Sequence, residues 1–88
     1  MKRLKVKKQY IKYARRLLKN KLNERLLKKG HQSYASVHEA YGLIAEEVKE
    51  LLDAVQSNKR ADVMAELLDV AVGCVFAIAC NEAGGFDQ

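Results

Sequence analysis

The acidic residues of this 88-residue chain are grouped rather than scattered. Glu46-Glu47-x-x-Glu50 is followed, after fifteen intervening residues, by Glu66-x-x-Asp69. A helix turns about 100° per residue, so Glu46, Glu47 and Glu50 would share one side of their helix, and Glu66 and Asp69 one side of theirs. Two such helices crossing at short separation can aim the carboxylates at one point. Like charges at i, i+4 cost roughly 0.2–0.5 kcal/mol per pair, and Glu46, Glu50 and Asp53, at i, i+4 and i+7, have Lys49 alone within helical reach to offset them. Asp69 lies inside the run Leu67-Leu68-Asp69-Val70-Ala71-Val72, where an unpaired carboxylate would cost on the order of several kcal/mol. The pattern needs a counter-charge. A divalent cation is one answer: magnesium takes oxygen ligands in an octahedron and leaves places for waters or phosphate oxygens. Arginine or lysine from the first helix is the other, and would make a purely structural network of ion pairs.

The elements that must position these groups are helical. Ser36-x-x-Glu39 reads as a capping box, opening a helix whose apolar stripe is Val37, Tyr41, Ile44, Ala45, Val48, Leu51, Leu52 and Val55. Gln56 to Lys59 form a turn, and a third helix runs from about Arg60 to Glu82, ending at Gly84-Gly85. Upstream, Tyr10, Ala14, Leu17, Leu18, Leu22 and Leu26 mark a helix from about Lys5 to Lys29, with Gly30 as its C-terminal cap and residues 31–35 as a polar loop. The first eight residues alternate (Leu4, Val6), which also fits an extended arm. The fold class is all-α, with three helices and short connections, in a single domain over residues 1–88: a basic helix to residue 30, then the acidic helical pair. One chain of this length cannot bury both the stripe of the second helix and the apolar circumference of the third. A homo-oligomer, dimer or tetramer, is expected to complete a four-helix-bundle core.

Composition narrows the rest. Proline and tryptophan are absent. Residues 1–30 hold 13 of the 16 Lys and Arg against Glu24 alone, while residues 31–88 hold ten acids against Lys49, Lys59 and Arg60. The net charge of +5 therefore describes the N-terminal third only. Cys74 and Cys80, six apart in an apolar helix, cannot bridge each other and read as free thiols, which fits a cytoplasmic location. The apolar run from Leu67 to Cys80 is shorter than the ~20 residues of a membrane span, so no membrane association and no signal peptide are expected. His31 and His38 have no companions for a zinc site, and no glycine-rich phosphate loop is present.

The stretch from Tyr41 to Ala54, containing Glu46-Glu47-x-x-Glu50, and the later Met64-Ala65-Glu66-Leu67-Leu68-Asp69-Val70 together resemble the EExxE…ExxD signature of MazG-like nucleoside triphosphate pyrophosphohydrolases. The likeness runs from about His31 to Gly85. It implies an all-α enzyme that uses Mg²⁺ or Mn²⁺ to cleave a nucleoside triphosphate between its α and β phosphates, giving a monophosphate and pyrophosphate. Position by position, it implies Glu47, Glu50, Glu66 and Asp69 as metal ligands, with Glu46 orienting or deprotonating the attacking water. Lys28, Lys29 and His31 become candidate substrate contacts, and Tyr34 the candidate base-stacking aromatic.

A different class of function also fits the charge. The basic first helix could bind nucleic acid or a protein partner in a non-catalytic module. Its cations lie all round the cylinder and its only interleaved aromatics are Tyr10 and Tyr13, so any nucleic-acid binding is expected to be weak and indifferent to sequence.

Overall fold

A computed structural model describes residues 2–87, and of residue 87 the backbone alone. It contains α1 (Lys8–Lys29), α2 (Val37–Gln56), α3 (Arg60–Glu82) and a closing 3₁₀ turn, Gly85–Asp87, with no strand among the described residues. Helix α1 starts three residues later than its periodicity suggests, and residues 2–7 have no regular structure. Lys7, at the N-cap, makes no side-chain capping bond, and the first turn carries no acid. The positive end of the helix dipole thus meets a cluster of lysines, which disfavours an earlier start. At the other end, Gly30 adopts φ 78° and its N–H donates to the carbonyl of Leu26 at 2.9 Å. A left-handed residue there favours glycine.

The capping box forms with a shift of one residue. The Glu39 N–H donates to Ser36 Oγ at 3.2 Å, and Glu39 Oε1 accepts from the Ala35 N–H rather than from that of Ser36. The α2–α3 turn places Asn58 at φ 57°, a conformation asparagine tolerates better than most residues.

Helix α3 is central: α2 packs along its length, and α1 packs on it over a shorter stretch. Its buried residues Val72, Phe76 and Cys80 recur at four-residue steps. On α2 the buried positions are Ala40 and Ala54. A Cβ added at Gly73 would lie 3.3 Å from Ile44 Cγ1, so the two helix backbones run close through small residues. The single chain covers only part of the expected apolar face of α2. Val37, Tyr41, Ala45, Val48, Leu52 and Val55 are exposed, Tyr41 by 74 %, while the half-buried positions are Ile44, Glu47 and Leu51. Pattern alone favoured the wider apolar stripe. Packing chose the neighbouring face, where alanines permit close approach and Glu47 turns inward.

The chain therefore keeps much apolar surface outside. Its accessible area is 7556 Å², nearly half as much again as the roughly 5,200 Å² expected of a folded monomer this size. The radius of gyration is 14.9 Å against about 12 Å for a compact chain of this length. On α3, Met64, Leu67 and Ile78 are exposed and fall within about 60° of one another around the helix. As a whole, α3 is long and apolar enough to span a membrane by length and composition, unlike the shorter Leu67–Cys80 run taken alone. Here it is the helix against which both others pack, and it carries Glu66 and Asp69.

Candidate metal centre

Glu47 from α2 and Glu66 and Asp69 from α3 meet where the two helices run close. Each offers a carboxylate oxygen, and these atoms all lie within 4.8 Å of one another. All three residues are half-buried. Oε2 of Glu47 and Oε2 of Glu66 are buried without a hydrogen-bond partner. An unsatisfied buried carboxylate oxygen is costly, and here there are two side by side.

The electrostatics follow. Burial pushes the Glu47 carboxyl above its ordinary pKa, and Glu50, Asp69 and Glu66 push it further in the same direction. Glu66 is raised by loss of solvent first, then by Glu50 and Asp69. Glu50 is outside the tight triad but close enough to act on both glutamates. The single ion pair among the described residues joins Lys21 Nζ to Asp69 Oδ1 at 3.9 Å, with the side chains 41 % and 35 % exposed. A pair so open to solvent contributes about 0–1 kcal/mol, and it leaves Glu47 and Glu66 without a counter-charge. The ion-pair network allowed by the sequence thus exists only in part. A donor set made wholly of carboxylate oxygens suits a hard divalent cation rather than zinc, so the residues present fit the kind of metal expected here.

The remaining expected site residues are placed differently. Glu46 is exposed and lies about 100° around α2 from Glu47. Tyr34 and Lys29 line a cavity of about 520 Å³ together with Glu47 and Asp69. His31 lines a second cavity, of about 270 Å³, walled largely by Leu22, Leu26, Val75 and Phe76. Lys28 is exposed and lines neither. Sequence reading passed over Arg25, Gln32, Ser33 and Glu39, which also line the larger cavity. Arg25 had a readable signal. With Lys21, it is a cation set among Leu17, Leu18, Leu22 and Leu26 on the apolar side of a basic helix.

The raised carboxyl groups set the sign of a pH effect in the metal-free protein. A glutamate whose folded pKa exceeds its unfolded value contributes stability below the unfolded pKa and loses it as pH rises through the folded one. With EDTA present, urea unfolding should therefore show stability falling as pH rises from acid through the raised pKa of Glu47. Glu47→Gln should flatten that fall and make the metal-free chain more stable at pH 7. A Glu47→Gln chain less stable than the parent under those conditions would mean that the carboxylate is paired rather than repelled.

Comparison with protein families gives a match over residues 35–88, more than half of the chain, to the MazG nucleotide pyrophosphohydrolase domain. No curated protein and no solved structure matches the chain. The matched region contains α2, α3 and all the converging carboxylates, while α1 and Tyr34 precede it. By this match the chain belongs to the MazG nucleotide pyrophosphohydrolase family.

Proposed function

We propose that the protein is a Mg²⁺-dependent nucleoside triphosphate pyrophosphohydrolase, with Mn²⁺ as an alternative ion. The observation that carries the reading is the convergence of Glu47, Glu66 and Asp69, two of which, Glu47 and Asp69, line a cavity of about 520 Å³ that Arg25 and Lys29 also line. Water adds to the α-phosphorus, the bond from that phosphorus to the oxygen bridging the β-phosphate breaks, and monophosphate and pyrophosphate result. Magnesium, when bound, supplies positive charge that offsets the charge building on the phosphate oxygens. Glu47, Glu66 and Asp69 hold it, with Glu50 completing the set. Glu46, exposed at the edge of this group, takes the proton of the attacking water from the solvent side. Lys29 meets the phosphates and Tyr34 borders the nucleoside end. The free thiols of Cys74 and Cys80 suit a reducing compartment such as the cytoplasm.

The working unit, on this reading, is a homodimer or a homotetramer built from two such dimers. Val37, Tyr41, Val48, Leu52 and Val55 fall within about 60° of one another on α2 and are exposed in the single chain. Two copies related by a two-fold axis would cover each other's stripes and supply the four-helix core that one chain lacks. A second, additional reading rests on residues 2–16, every one of which is exposed and none of which is acidic. Lys8, Lys12, Arg15, Arg16 and Lys19 fall within about 100° of arc, so the cations of this half of α1 form a stripe rather than a full ring. They offer a phosphate backbone an electrostatic landing strip with no means of reading bases.

Incubation with common NTPs and dNTPs and Mg²⁺ should release pyrophosphate, and calorimetric titration should show Mn²⁺ binding. Glu50→Gln and Asp69→Asn should weaken binding and slow turnover by about 100-fold or more, the scale of the few kcal/mol a bound cation supplies. Glu46→Gln should slow turnover while Mn²⁺ still binds. Parent protein that binds no divalent ion, with or without nucleotide, overturns the reading. Light scattering at micromolar concentration should give a dimer or larger, and Leu52→Glu should shift it toward monomer; a stable parent monomer rules the assembly out. Binding to duplex DNA should be indifferent to sequence and fall steeply with salt. A tight, sequence-selective complex at physiological salt would favour the non-catalytic binding module instead.

A further inference from the structure

We propose that Arg25, with Lys29 one turn along, forms an anion subsite for the terminal diphosphate of the substrate, the part that leaves as pyrophosphate. This rests on the pyrophosphohydrolase reading and adds to it a residue from outside the family-matched region.

Among the cations of α1, only Lys21 and Arg25 are half-buried. Lys21 is engaged with Asp69. Arg25 is held otherwise: its Cζ lies 3.7 Å from the ring centroid of Phe76 and 5.5 Å from that of Tyr34. Phe76 is itself buried and meets Tyr34 edge-on, with centroids 5.1 Å apart and an interplanar angle of 79°. The guanidinium is therefore fixed by aromatic rings across its face, which leaves its in-plane N–H donors for other work. One of them, on Nη2, reaches the Tyr34 hydroxyl at 3.5 Å. Nη1 is buried and donates to nothing.

A stacked guanidinium with a buried, unused donor lacks an acceptor. The carboxylates do not serve, since Arg25 makes no ion pair among the described residues. Yet Arg25 and Lys29 line the same cavity as Glu47 and Asp69. A ligand that satisfies both parts must be anionic where it meets Arg25 and must offer oxygens to a cation where it meets the carboxylates. A polyphosphate does both. The guanidinium fork matches two phosphate oxygens at once, a geometry lysine cannot reproduce. A nucleobase is the poorer occupant, because the arginine already covers the face of Phe76. The diphosphate also gains charge as its bond to the α-phosphorus breaks, so a cation placed there favours departure as well as binding. A monophosphate product reaches only the carboxylate side, and the subsite thereby distinguishes triphosphate from product.

The test uses inorganic tripolyphosphate and a nucleoside monophosphate as separate probes, titrated calorimetrically into the full chain with Mn²⁺ present. Arg25→Lys should weaken tripolyphosphate by about tenfold and Arg25→Met by more, with Mn²⁺ affinity measured alone unchanged and monophosphate affinity changed less than about twofold. Steady-state KM for triphosphate should rise in the same order. Should Arg25→Met fail to fold, Arg25→Lys, which keeps the charge and most of the stem, decides the matter. Equal tripolyphosphate affinity in parent and Arg25→Lys overturns the subsite, as does equal weakening of both probes. The inorganic probe separates the two readings: a chain that hydrolyses no nucleotide can still bind tripolyphosphate through Arg25. A chain whose Arg25→Lys form hydrolyses triphosphate like the parent loses the subsite and keeps the enzyme.

Discussion

Three carboxyl groups whose ligand atoms lie within 4.8 Å repel one another when ionised, and one half-exposed lysine is the only cation paired with them among the described residues. Burial first, and then that repulsion, raises the proton affinities of Glu47 and Glu66. Everything else in the fold bears on keeping the groups together despite it. Close packing of α2 on α3 comes from Ala40, Ala54 and Gly73, whose small size lets the backbones approach. Larger side chains there would separate the helices and relieve the repulsion, at the cost of the site. Marginal stability of the metal-free chain is the expected counterpart, since repelling charges are held in place by so few buried residues.

Position within the helices matters as much as identity. Asp69 is one turn before Gly73 and Val72, so the third carboxylate is carried by the same stretch of α3 that packs on α2. Phe76, one turn further, is buried and supports Arg25 and Tyr34. A single helix thus presents acid toward one wall of the cavity and, through an aromatic ring, holds a cation at the other. Helix α1 lies outside the family-matched region, yet it supplies Lys21, Arg25 and Lys29 to this neighbourhood. The contrast with its first half is physical: every described residue before Leu17 is exposed, whereas the half-buried positions of α1 are Leu17, Leu18, Lys21, Leu22, Arg25 and Leu26, and α1 packs on α3.

The chain as a single body is long and open. Its principal extents are 49 × 28 × 25 Å, and its buried apolar set is Ala40, Ala54, Val72, Phe76 and Cys80 among the described residues. A core this small contributes little to stability by apolar burial. The exposed stripes on α2 and α3 are what a partner copy would need to cover, which is why assembly and catalysis belong together in the proposed function.

Much was determined by the sequence alone. Helix number and type followed from period, caps and the absence of proline, because these are local properties: Ser36 with Glu39, Gly30 and Asn58 act within a few residues of themselves. The family was legible because Glu46, Glu47, Glu50, Glu66 and Asp69 stand in a pattern that resembles its signature, and helical geometry converts the spacing of Glu66 and Asp69 into a shared side of α3. Which face of α2 would be inside was not legible. The apolar stripe and the alanine-lined face adjoin, and only the partner helix decides between a wide hydrophobic surface and a closer approach. Nor was the role of Arg25 legible, since it depends on Phe76, fifty-one residues away in sequence, meeting it across α1 and α3. Glu46 and Glu47 are neighbours of identical chemistry, told apart in the sequence by the family resemblance and by which of them borders the apolar face. The packing of α2 turns Glu47 inward and leaves Glu46 in solvent, because a rotation of about 100° separates adjacent residues and α3 covers only one side.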